Sequence, residues 1–183
     1  MPFCKIGETI TRATYVATNR ILCKTPPSVD TTIPAPISVS LNGVDFLETN
    51  FTFSYYEKPI LSDIQPRSGK ADGGTEIWLK GQKFSRITTD MKTVRCRFRQ
   101  VVNETIDEID EDNVPTKLVP AYWIDRETMK CASPAGWSGG EKVKVDLTFN
   151  GVDYTDNSFD FFFYSIFQTF PKSGPSEASN QYI

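Results

Sequence analysis

Short runs of alternating apolar and polar residues recur along this chain. Glu76-Ile77-Trp78-Leu79, Val94-Arg95-Cys96-Arg97-Phe98, Lys142 to Phe149 and Phe159 to Phe163 all carry a period of two, the mark of strands with one face in a core. Asn42-Gly43 and Asn150-Gly151 stand between such runs and predict two-residue hairpin turns with positive φ at both central positions. Gly73-Gly74 and Gly139-Gly140 mark further turns. No convincing helical period occurs; Asp107 to Asn113 could form a helical turn at most. Twelve prolines and eleven glycines among short strands predict an all-β sandwich.

Sliding the sequence against itself uncovers a repeat. VSLNGVDFLETNFTFSYY at 39–56 returns as LTFNGVDYTDNSFDFFFY at 147–164, an offset of 108 that also relates Cys23 to Cys131 and Pro26 to Pro134. Nine of the 34 positions from 23 to 56 are identical in the copy. A second similarity, offset by 105, pairs Ile64-Gln65-Pro66-Arg67-Ser68-Gly69 with Thr169-Phe170-Pro171-Lys172-Ser173-Gly174. The expected organisation is the later part of one repeat at 1–56, a complete repeat at 57–164, and the opening strands of another at 165–183.

The complete repeat carries Ile64-x-Pro66-x-Ser68-Gly69-x3-Gly73-Gly74-Thr75-x-Ile77-x-Leu79-x-Gly81-x2-Phe84. Cys96-x-Phe98, Cys131-x-Ser133-Pro134, Val143-x-Val145, Asn150-Gly151 and Phe159-x-Phe161 follow in order. This pattern resembles the IPT/TIG domain, the immunoglobulin-like fold shared by plexins, transcription factors and large extracellular receptors. It departs from its own neighbour in one place. Cys96 and Cys131 are 35 residues apart against 19 for Cys4 and Cys23, and the extra length is an acidic stretch after Asn103. The resemblance implies one complete and two partial immunoglobulin-like sandwiches in tandem, with disulfides Cys4–Cys23 and Cys96–Cys131.

Composition narrows the chemistry. With no histidine there is no Ser-His or Cys-His pair and no imidazole metal ligand. Twenty basic against 23 acidic residues give a net charge of −3, which is no footprint for nucleic acid. No apolar run is long enough to span a bilayer, and no amino-terminal h-region is present, so a secreted chain would be a mature form or a fragment. Four cysteines without a C-x-x-C speak against zinc; an even count in a repeated pair favours bridges and an oxidising compartment, with buried free thiols as the alternative. Asp107, Glu108, Asp110, Glu111 and Asp112 could hold calcium, but lack the spacing and glycine of a calcium loop, so a solvated loop is the better reading. Gly136 to Lys142 lacks the ending of a phosphate loop and precedes a strand. No enzyme, cofactor or metal site is expected.

Two sequons, Asn50-Phe51-Thr52 and Asn103-Glu104-Thr105, make Asn50 and Asn103 candidate glycosylation sites in a secreted chain. The Thr- and Pro-rich segment 25–36 is a proline-rich loop that could also carry O-glycans. Phe159, Phe161 and Phe163 should point inward. That leaves Phe162, Tyr164 and Phe167 for the other face or the junction, where they meet either a partner or the adjoining repeat. Phe170 and Tyr182 belong to the same candidate interface. Partial sandwiches expose an apolar face and an edge, so the expected partners are copies of this chain or adjoining repeats of a longer one, besides covalent glycans. The leading expectation is an extracellular structural glycoprotein in which residues 165–183 of one copy complete the sandwich begun by 1–56 of the next, making a fibre or surface hair. The alternative is an interaction segment of a plexin-like receptor or adhesin ectodomain.

Overall fold

A computed structural model describes residues 1–28, 30–85, 93–101 and 114–166. The chain is all-β, and its contacts divide it between Lys58 and Pro59. Asp107 to Asn113 lie outside the described residues.

The first unit contains β1 (Phe3–Ile6), β2 (Thr9–Ala17), β3 (Arg20–Cys23), β4 (Ala35–Ser40) and β5 (Leu47–Phe53), in the sheet order β3-β2-β1-β4-β5. The second contains β6 (Ile60–Gln65), β7 (Ser68–Lys70), β8 (Glu76–Gln82), β9 (Arg95–Gln100), β10 (Thr116–Asp125), β11 (Thr128–Ala132), β12 (Lys142–Thr148) and β13 (Phe159–Tyr164). Their order is β6-β8-β11-β10-β9-β12-β13-β7, antiparallel except for the β13–β7 pair.

Strand β10 turns this single ladder into two layers. Its first half, Thr116 to Pro120, pairs with β9, and its second half, Ala121 to Asp125, pairs with β11. Pro120 sits at the changeover, where the missing N–H interrupts the ladder least. Leu61, Ile64, Ile77, Leu79 and Met129 from one layer meet Phe98, Val143, Val145, Leu147, Phe161 and Phe163 from the other, all 0–1% exposed. The rings of Phe98, Phe161 and Phe163 lie 5.1–6.4 Å apart, and Trp137 stacks on Phe163 at 5.9 Å. Gly81 is needed here for space, since a Cβ would run into the Ile60 carbonyl and the Phe84 ring.

The two units share their register. Cys4 faces Val39 and Thr11 as Cys96 faces Leu147 and Val119, and Ala13 faces Cys23 as Ala121 faces Cys131. Even the irregularity after Tyr15 returns after Trp123. Strands β3-β2-β1-β4-β5 therefore repeat β11-β10-β9-β12-β13. Strands β6, β7 and β8 have no counterpart among the described strands of the first unit. Phe53, Tyr55 and Val39 there are half-buried, whereas Phe161, Phe163 and Leu147 at the same repeat positions are enclosed.

The Asn-Gly connections differ from the expected two-residue turns. Residues 41–46 link β4 to β5, and positive φ falls on Gly43 and Gly151 but not on Asn42 or Asn150. The asparagine instead organises the loop with its side chain. Asn42 Oδ1 accepts from the N–H groups of Val44 and Asp45, both at 2.9 Å, and its Nδ2 donates to Asp45 at 2.8 Å. Asn150 does the same with Val152 and Asp153. An Asx side chain capping its own loop competes with the left-handed backbone, and here it wins twice.

Phe161→Ala should cost the full-length chain about 3–5 kcal/mol in urea unfolding. Phe53→Ala, at the matching but half-buried position, should cost less. Equal losses would mean that Phe53 is as enclosed in solution as Phe161.

Candidate functional site

Because Cys96 and Phe98 point into the sandwich, the pleat sends Arg95, Arg97 and Arg99 of β9 to its outer face. Val143, Val145 and Leu147 on β12 likewise send Lys142, Lys144 and Asp146 outward. On β13, Asp160, Phe162 and Tyr164 alternate with the buried Phe161 and Phe163. Leu118 of β10 and Lys70 of β7 complete the surface. Among the described residues of these five strands, six cations and two carboxylates share that face.

One ion pair is part of its framework. Arg97 donates two hydrogen bonds to the Asp146 carboxylate, at 2.9 and 2.7 Å. Its guanidinium also stacks over the Tyr154 ring at 3.5 Å. The Asp146 side chain is 2% exposed and that of Arg97 20%. Burial pushes the Asp146 carboxyl above its ordinary value, with the Arg97 hydrogen bonds opposing.

The remaining cations are more open. Lys142 and Lys144 reach Asp160 at 2.8 and 2.7 Å, and both hold its carboxyl below its ordinary value. These pairs are partly exposed and contribute little stability. Lys144 also lies directly opposite Arg99 in the ladder, a like-charge juxtaposition that costs energy. Lys142 stands 5.6 Å from the Phe162 ring centre. Phe162 and Tyr164 are each 45% exposed, and Leu118 51%. The arrangement is a cation-rich surface with the Phe162 and Tyr164 rings beside it.

Of the candidate interface residues, the structure brings Phe162 and Tyr164 to this one face. Phe167, Phe170 and Tyr182 lie outside the described residues. Asn50 is exposed on β5, while Asn103 lies outside the described residues. Cys4 is bonded to Cys23 and Cys96 to Cys131, the second bridge joining β9 of one layer to β11 of the other. Sequence reasoning passed over the arginines. Their signal was the triplet Arg-x-Arg-x-Arg at 95–99, visible only as strand alternation while charge was summed over the whole chain.

The IPT/TIG domain model matches residues 59–163. The chain belongs to the IPT/TIG domain family. The match runs from the residue before β6 into β13. Among relatives of this IPT/TIG chain, human Plexin-A2 is 25% identical over 107 residues, which is 58% of this chain and 6% of that protein. Plexin A3 of Danio rerio is 25% identical over 138 residues, or 74% of this chain and 7% of that protein. A solved structure titled as the full extracellular region of plexin A4 superposes with a TM-score of 0.46 and 14% identity, covering 83% of this chain and 12% of that one. The chain thus spans less than a tenth of the length of Plexin-A2 and Plexin A3.

Arg97→Met should destabilise the fold by about 3–5 kcal/mol at neutral pH, because it strands a buried carboxylate. An aspartate whose folded pKa is raised favours the fold below the ordinary carboxyl range and loses that contribution as pH rises through the raised value. The deficit of Arg97→Met should therefore shrink on acidification towards that range. Urea titrations at several pH values check this, and a pH-independent deficit would contradict it.

Proposed function

We propose that this chain is a non-catalytic interaction segment of a plexin-like receptor ectodomain and acts outside the cell. The observation that carries the reading is the IPT/TIG match over residues 59–163, with plexins as sequence relatives. Two disulfides that leave no free cysteine suit an oxidising compartment. The outer face of β9, β12 and β13 supports the reading too, since half-buried Arg beside exposed aromatic side chains are the residue types concentrated in binding surfaces. Asn50 and Asn103 are its proposed glycan acceptors, and 1–56, 57–164 and 165–183 its proposed repeat segments. The relatives favour this reading over a fibre subunit.

Secreted from eukaryotic cells, the chain should carry both disulfides and lose mass on treatment with an N-glycosidase. Asn50→Gln and Asn103→Gln together should abolish that loss. Probed against an array of purified ectodomains, it should find a partner whose binding falls in Phe162→Asp/Tyr164→Asp. Binding to none, with open filaments in negative stain at high concentration, would replace the receptor reading by the fibre.

A further inference from the structure

We propose that the outer face of β9, β12 and β13 is a binding surface for a sulfated polysaccharide. The proposal rests on the extracellular placement argued above and specifies one ligand chemistry for that surface.

The charge distribution is the first argument. The described residues carry 17 cations against 15 carboxylates, and this face gathers six of those cations with only two of the carboxylates. Asp146 is committed to Arg97, and Asp160 is divided between Lys142 and Lys144. Glu141 at the rim is held by the Ser138 N–H and by Gln100 Nε2. Arg95, Arg99 and Lys70 have no carboxylate among these, and Arg99 stands opposite another cation. Anions between Arg99 and Lys144 would turn a repulsive pair into a chelating one.

Geometry selects a polymer. Successive outward residues on one strand are about 7 Å apart and neighbouring strands about 4.8 Å apart, so Arg95 and Arg99 flank the ion-paired Arg97 on β9, with the lysines of β12 beside them. This is an array of cations at strand spacing, suited to an extended chain with regularly spaced anions. Guanidinium groups match sulfate and carboxylate oxygens two at a time. Phe162 and Tyr164, exposed beside the lysines, offer ring faces on which the C–H faces of sugar rings can stack.

The test passes the full 183-residue chain over immobilised heparin and reads elution against sodium chloride. The five carboxylates between Asp107 and Asp112 are then present. The wild type should be retained at 0.15 M, a salt level that already screens distant charges, and Arg99→Gln/Lys144→Gln should bind about tenfold more weakly. Arg95→Glu/Arg99→Glu should abolish retention. Lys80→Glu/Lys130→Glu carries the same net charge change on strands β8 and β11 of the opposite layer and should bind like the wild type. Urea transitions establish that each variant is folded. No retention of the wild type, equal loss in the opposite-layer control, or equal binding to neutral dextran would overturn the proposal. Binding to a poly-glutamate peptide as tight as to heparin would also overturn it, assigning the face to acidic proteins. Failure on heparin with a partner still found on the ectodomain array would leave the receptor reading standing.

Discussion

The two-residue pleat of β9 and β12 is the constraint from which fold and surface both follow. Cys96, Phe98, Val143, Val145 and Leu147 must point the same way to close the core. Their neighbours then have no choice but to emerge together on the opposite side. Six cations are gathered on one face because six strand positions are out of phase with the apolar ones. Slipping β12 by one residue against β9 would bury lysines and expose valines. The apolar core thus fixes the register, and the register fixes where the charge lies.

The same constraint makes the two units comparable. Their ladders agree pair by pair, including the changeover of partner in the middle of β2 and β10, so the repeat lies in backbone pairing as well as in residues. The surfaces have diverged. Arg95, Arg97 and Arg99 of β9 correspond to Phe3, Lys5 and Gly7 at the end of β1, and the buried Asp146 corresponds to Ser38. One scaffold has kept its hydrogen-bonding plan while changing what it displays.

Much of this was legible in the sequence. Strands β8, β9, β12 and β13 were read from alternation because each has one buried face. The repeat showed in the sequence because Cys, Asn-Gly and the Phe alternation stay in step. The Asn-Gly loops were misread as two-residue turns, since asparagine serves a left-handed backbone and a side-chain cap equally well and only tertiary spacing decides between them. The parallel pairing of β7 with β13 joins residues almost a hundred positions apart, and no local pattern encodes it. The cationic face was hidden by arithmetic. A net charge adds opposite faces together, whereas binding is governed by one of them.

Strand β10 belongs to both layers, and the Cys96–Cys131 bridge ties the same layers together a few residues away. Under tension between Pro59 and Tyr164, the unit can lengthen only through chain outside that bridge. The stretch from one cysteine to the other, a separation of 35 residues or about 120 Å of extended backbone, stays locked away. A segment of this kind in series within a longer chain acts as a short, stiff link, and its slack is released by a reductant, not by force.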